Sequence, residues 1–141
     1  MVIAVDFDGT LVEHEYPKIG KEKLFAFETL KQLQKEEHRL ILWTIRTGKE
    51  LEDAVEYCKN KGIEFYAVNK NYPEEEYAEG EISRKVNADI FIDDRNVGGF
   101  HGWSAIYQML NEAGALSHAM EMQQNEASAK KGSFLSRIFG K

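Results

Sequence analysis

The chain has 141 residues, enough for one domain that buries a core without disulfide or metal staples. Its 43% hydrophobic and 30% charged residues make an ordinary soluble globular balance, and the single cysteine, Cys58, excludes an internal disulfide and argues against a zinc cluster. A formal charge of -6, from 24 acidic and 18 basic residues, argues against a nucleic-acid polymer as partner, while a small phosphorylated substrate stays compatible because a metal ion reverses the local field.

Val2 to Val5 form an apolar run that reads as a buried strand ending at Asp6. No basic stretch precedes it, so it is not read as a signal peptide. No apolar run approaches the roughly 20 residues of a bilayer span, and a cytoplasmic protein without a transmembrane segment is the expectation. Residues 9 to 20 follow as a loop punctuated by Gly9, Pro17 and Gly20. A helix is predicted over 21 to 37, with Leu24, Phe27, Leu30 and Leu33 on its apolar stripe. Arg39 to Thr44 is a second strand. Leu51, Ala54, Val55 and Cys58 sit at helical spacing before a stop at Gly62.

Ile63 to Val68 reads as a third strand, and Pro73 before three glutamates looks like the first turn of a short helix. Ala88 to Asp93 is the fourth strand, followed by a glycine-rich turn and an apolar helical face of Trp103, Ile106, Tyr107 and Leu110. Strands alternating with helices predict an α/β fold, an open parallel sheet with helices on both faces. Residues 1–122 form the expected domain. Residues 123–141 read as a polar linker and a short amphipathic tail carrying Phe134, Leu135, Ile138 and Phe139, which is either a frayed end or a docking element.

In an open parallel sheet, ligands bind beyond the carboxyl ends of the strands. Here those ends carry Asp6-Phe7-Asp8-Gly9-Thr10, Thr44 and Asp93-Asp94. Two carboxylates about 4 Å apart repel by roughly 4 kcal/mol at an effective dielectric of 20. A hard divalent cation resolves that repulsion, and an oxygen-only ligand set without His or Cys favours Mg²⁺. Either Asp pair alone is as well explained by a cap or a turn. Apolar strands have little structural reason to end in carboxylates twice.

DFDGT at 6 to 10, Thr44, Lys85 and Asp93-Asp94, in that order, resemble the motifs of the haloacid dehalogenase-like hydrolase superfamily. The resemblance covers residues 1 to about 110 and implies a Rossmann-like core without a large cap domain. It implies Asp6 as the nucleophile that becomes an aspartyl-phosphate and Asp8 as the acid and base. It also implies Thr44 as a phosphoryl contact and Lys85 as the electrostatic clamp. Mg²⁺ is implied between Asp6, Asp8, Asp93 and Asp94. The run RKVNADIFIDDR, similar to a segment of deoxyribonucleotidase-type members, favours Lys85 as the clamp, with Arg84 and Lys70 as alternatives.

Arg46 and Lys70 are candidate substrate contacts, and the histidines read as surface or turn residues. The expected activity is Mg²⁺-dependent hydrolysis of a small phosphomonoester, and the missing cap makes a homo-oligomer conceivable by analogy. The rival from another class is a catalytically idle binding module that docks through its tail. A receiver-type signalling domain is rejected, because the third strand ends in Val68-Asn69 without an acidic residue.

Overall fold

The computed structural model describes residues 1–114, so the linker and tail expected at 123–141 lie outside the described residues. The chain divides into two compact units, Met1–Ser104 and Ala105–Lys141. The first unit contains β1 (Val2–Val5), α1 (Ala26–Lys35), β2 (Arg39–Leu42), α2 (Gly48–Asn60), β3 (Ala67–Val68) and β4 (Ile90–Ile92). Residues 103–114 are also helical. Among the described residues no helix is long and apolar enough to cross a membrane.

The four strands form one open sheet, all parallel, in the order β3-β2-β1-β4. The chain builds outward from β1 to β3 and then returns to the other side of β1. The reversal of direction therefore falls between β1 and β4, where Val5 pairs with Ile92. Such a switch point opens a crevice at the carboxyl ends of the strands. Asp6 and Asp93 are the first residues beyond those two ends.

Buried apolar side chains hold this frame. Ile3, Val5, Leu40, Ile41 and Leu42 are all at most 1% exposed, and each contributes about 1.5–3 kcal/mol relative to an exposed side chain. The helices α1 and α2 meet through the edge-on rings of Phe27 and Tyr57, 5.8 Å apart at their centroids. Tyr57 also meets Phe7, just beyond β1, at 6.3 Å. Ala4, Ile41 and Ala67 form a separate buried cluster with Val86, which comes from a stretch without regular structure.

The structure shortens most of the predicted elements; the second strand ends at Leu42 and the fourth spans only Ile90–Ile92. The first helix starts at Ala26, not at 21, because residues 21–23 pair with the loop after β1. Glu13 donates its N–H to Lys21 O at 2.7 Å, and Lys23 donates to Leu11 O at 2.9 Å. Phe25 then takes a left-handed φ of 63°, which no helix interior tolerates, and Leu24 is left 77% exposed instead of joining the core stripe. The third strand shrinks to Ala67–Val68.

After Pro73 only a turn forms. Asn71 donates its backbone and side-chain N–H groups to Glu75 at 2.6 and 2.7 Å, and its own Oδ1 accepts the Asn87 N–H at 2.6 Å. These side-chain bonds offer the backbone an alternative to a helical ladder. The predicted stop of the second helix stands. Gly62 adopts φ 84°, and the Ile63 N–H returns to Cys58 O at 3.0 Å.

Candidate active site

The first step beyond β1 builds the site. Asp6 donates its N–H to Ile92 O at 3.0 Å, which ties the carboxyl ends of β1 and β4 together. One carboxylate oxygen from each of Asp6, Asp93 and Asp94 lies within 4.8 Å of the other two. Burial is the largest cause of a rise in the Asp6 pKa to about 7, with repulsion from Asp93, Asp94 and Asp8 adding to it against a hydrogen bond from the Phe7 backbone.

Two further residues of the motif position Asp94. Gly9 has φ 88°, and a β-carbon there would stand 2.3 Å from Asp94 Oδ2, so only glycine admits that carboxylate. Thr10 is fully buried. Its hydroxyl accepts the Asp94 N–H at 3.0 Å and donates to Asp6 Oδ2 at 3.4 Å. Its carbonyl accepts the Trp103 indole N–H at 2.8 Å, which gives that buried ring its polar partner.

Among the described residues, Asp94 Oδ1 is a buried oxygen without a hydrogen-bond partner. A buried carboxylate oxygen left unpaired is costly, and a divalent cation held by three carboxylates would satisfy it. The donor set, the orphaned oxygen and the cradle at Gly9 fit such an ion.

Asp8 is treated differently. It is 5% exposed, and Arg46 engages both its oxygens, Nε to Oδ2 and Nη2 to Oδ1, each at 2.7 Å. The remaining donors of Arg46 go to Lys18 O at 2.7 Å, Pro17 O at 3.0 Å and Glu50 O at 3.5 Å. The guanidinium also lies over the rings of Phe7 and Tyr16, at 5.0 and 5.2 Å. All five N–H groups of the side chain are thereby committed within the protein. Arg46, expected as a substrate contact, is instead a fully buried support for Asp8, because its acceptors surround it on every side.

No family model matches the chain, and no curated protein matches it. Among solved structures it matches a conserved protein coded by a locus of Bacteroides thetaiotaomicron, with 60% identity over 80% of this chain and 91% of that one, at a TM-score of 0.76. The chain belongs to the family of that Bacteroides protein.

In this member of the family, two pockets lie beyond the carboxyl ends of the strands. The smaller, about 60 Å³, is lined by Asp6, Asp8, His14, Ile45, Asp93 and Arg95. His14, expected as a surface residue, and Arg95, which had no expected site role, both line this pocket. Arg95 Nη2 lies 3.0 Å from His14 Nε2, across 81 residues, and its own N–H reaches Asp93 Oδ1 at 2.7 Å. Only the position of Arg95 directly after the acidic pair offered a signal.

The larger compartment, about 480 Å³, has Trp43, Thr44, Asn69, Lys70, Tyr77 and Arg84 in its walls. Thr44 sits between the second strand and this cleft. Its N–H is held by Asn69 Oδ1 at 2.8 Å, and its hydroxyl oxygen accepts the Arg46 N–H at 3.2 Å. Lys70 is bonded to the carbonyl of Pro73.

Lys85 lines neither compartment, and among the described residues it forms no ion pair with the carboxylates. Its ammonium rests 5.2 Å from the centre of the Phe91 ring. Phe91 lies within β4, two residues before Asp93.

Proposed function

We propose that this protein is a Mg²⁺-dependent phosphomonoester hydrolase of the haloacid dehalogenase type, working through an aspartyl-phosphate on Asp6. The observation that carries the reading is the convergence of Asp6, Asp93 and Asp94 at the switch point, with one buried Asp94 oxygen left unpartnered. A binding module without chemistry gains nothing from holding three repelling carboxylates in one crevice. Mg²⁺, when bound by Asp6, Asp93 and Asp94 with the Asp8 backbone, supplies positive charge that offsets the carboxylates and a substrate phosphate.

The chain's own residues then divide the work. An Asp6 oxygen attacks phosphorus, a P–O bond to Asp6 forms, and the P–O bond to the alcohol breaks. The mechanism requires Asp8 to enter the cycle protonated, and that proton passes to the departing alkoxide. A water molecule, losing its proton to Asp8, attacks the same phosphorus and releases inorganic phosphate and free Asp6.

Arg46 keeps the Asp8 carboxyl aimed into the pocket while each oxygen retains a second lone pair for the proton in transit. The Thr44 hydroxyl, whose oxygen already accepts from Arg46, has its proton to donate to the phosphoryl group. Lys85 completes the clamp by leaving Phe91. A cation–ring contact at an exposed position holds it by only about 0.5–1 kcal/mol, and Asp93 is about 7 Å along the strand from Phe91.

The test is phosphate release from a panel of phosphomonoesters, with and without Mg²⁺, beside the Asp6→Asn variant. The reading expects metal-dependent release that disappears in the variant. Release that persists in purified Asp6→Asn removes Asp6 as the nucleophile.

A further inference from the structure

We infer that the substrate is a phosphomonoester whose alcohol half carries a second anionic group, a carboxylate or another phosphate, bound in the larger cleft. The inference rests on the phosphohydrolase reading above and extends it to substrate class. Volume comes first. The carboxylate pocket, about 60 Å³, is far smaller than the neighbouring cleft and leaves an organic body little room beside a metal ion and phosphoryl oxygens. The cleft of about 480 Å³ lies within the range of small-molecule sites, and Thr44, the phosphoryl contact, is in its wall. Thr44 in this wall is next in sequence to Ile45 of the carboxylate pocket, so a substrate with its phosphate at Asp6 would place its remainder in this cleft.

Among the described residues, the cleft's uncommitted side-chain groups are donors. Asn69 spends Oδ1 on the Thr44 N–H, which leaves its NH₂ free to donate. Ser83 Oγ accepts the Lys85 N–H at 3.2 Å and keeps its proton. Arg84 uses only Nε, toward the Tyr77 hydroxyl at 3.3 Å, and its guanidinium is steadied 5.6 Å from the centre of the Tyr77 ring. Both terminal nitrogens of that guanidinium remain available. Lys70 commits one proton to Pro73 and retains two.

The carboxylate in the lining is Glu75, and Asn71 occupies both its oxygens. In a chain of net charge -6, this wall gathers two cations and several free N–H and O–H groups beside an acidic pocket. Trp43, Ile82 and Val86 provide apolar surface for the carbon skeleton between the two anionic ends. Beside a neutral alcohol those donors are left to water. An oxyanion answers them with charge-assisted hydrogen bonds.

The experiment uses the full chain with Mg²⁺ and three matched esters: propyl phosphate, 3-(phosphonooxy)propanoate and propane-1,3-diyl bisphosphate. The expected result is a kcat/KM about tenfold or more higher for at least one ester with a second anionic group than for propyl phosphate, a factor of ten corresponding to about 1.4 kcal/mol. Which ester leads identifies the second anion as carboxylate or phosphate. Arg84→Gln and Lys70→Gln should shrink the preference to within about threefold by raising KM for that ester. Equal kcat/KM for all three esters overturns the inference, as does a preference that survives both substitutions.

A separate binding measurement distinguishes failure of the inference from failure of the hydrolase reading. Trp43 fluorescence is titrated with the same three esters in Asp6→Asn, with Trp43→Phe as control. Saturable change with the esters that carry a second anionic group, weakened by Arg84→Gln, upholds the cleft even if no ester is hydrolysed. No change with either of those two esters overturns it.

Discussion

Replacing Asp6 by asparagine should stabilise the metal-free protein, although it removes the nucleophile. Burial and the carboxylates of Asp93, Asp94 and Asp8 push Asp6 up from 3.8 to about 7. Between those values the folded protein holds a proton that the unfolded chain has released, so stability falls as pH rises through this window. At 1.36 kcal/mol per pKa unit, the rise corresponds to about 4 kcal/mol as an upper bound. Asp6 is partly open to solvent, and screening reduces the expected cost to about 2 kcal/mol. Asparagine keeps the shape and removes the charge.

Thermal melts in EDTA should therefore place Asp6→Asn roughly 8 °C above wild type at pH 8 and level with it near pH 4. Mg²⁺ at pH 8 should raise the wild-type Tm and narrow the gap. A variant less stable than wild type at pH 8, or a difference that does not change with pH, would refute the argument from crowded charge.

Three other outcomes follow from the geometry. Arg46→Ala leaves the Asp8 carboxylate buried without its partner and should cost about 3–5 kcal/mol in urea unfolding, and Arg46→Lys should not restore it because one ammonium cannot replace a five-donor fork. Gly9→Ala forces a β-carbon to 2.3 Å from Asp94 Oδ2 at φ 88°, so we expect a loss of about 2 kcal/mol in stability and roughly 100-fold in kcat, measured on the same preparation. Lys85→Ala should lower kcat by roughly 10²–10³, whereas Arg84→Gln should act mainly on KM; steady-state kinetics showing the reverse ranking would reassign the clamp.

The sheet and its acidic edge were legible because buried parallel strands read as continuous apolar runs, and both β1 and β4 end such runs in aspartate. The second helix was legible from its spacing and its glycine stop. The first helix was overextended because the pairing of residues 21–23 with 11–13 is a tertiary contact, invisible to periodicity. The burial of Arg46 is hidden from the sequence for a similar reason. Two residues past Thr44 it resembles a solvated loop arginine, yet its acceptors come from Asp8, Pro17, Lys18 and Glu50. Thr10 stood inside the quoted motif without a role, since only the fold brings Asp94 and Trp103 to it. The cleft is assembled mostly from 69–86, an irregular stretch whose course depends on Asn71 and its bonds to Glu75 and Asn87.

The central claim is a covalent phosphoryl group on Asp6. The most direct measurement is mass spectrometry of peptides from protein quenched in acid during turnover with Mg²⁺ and a hydrolysed phosphomonoester. A phosphoryl adduct on the peptide carrying Asp6, absent from Asp6→Asn, is the predicted result. Turnover with an unmodified Asp6 peptide and an adduct on another residue would contradict it.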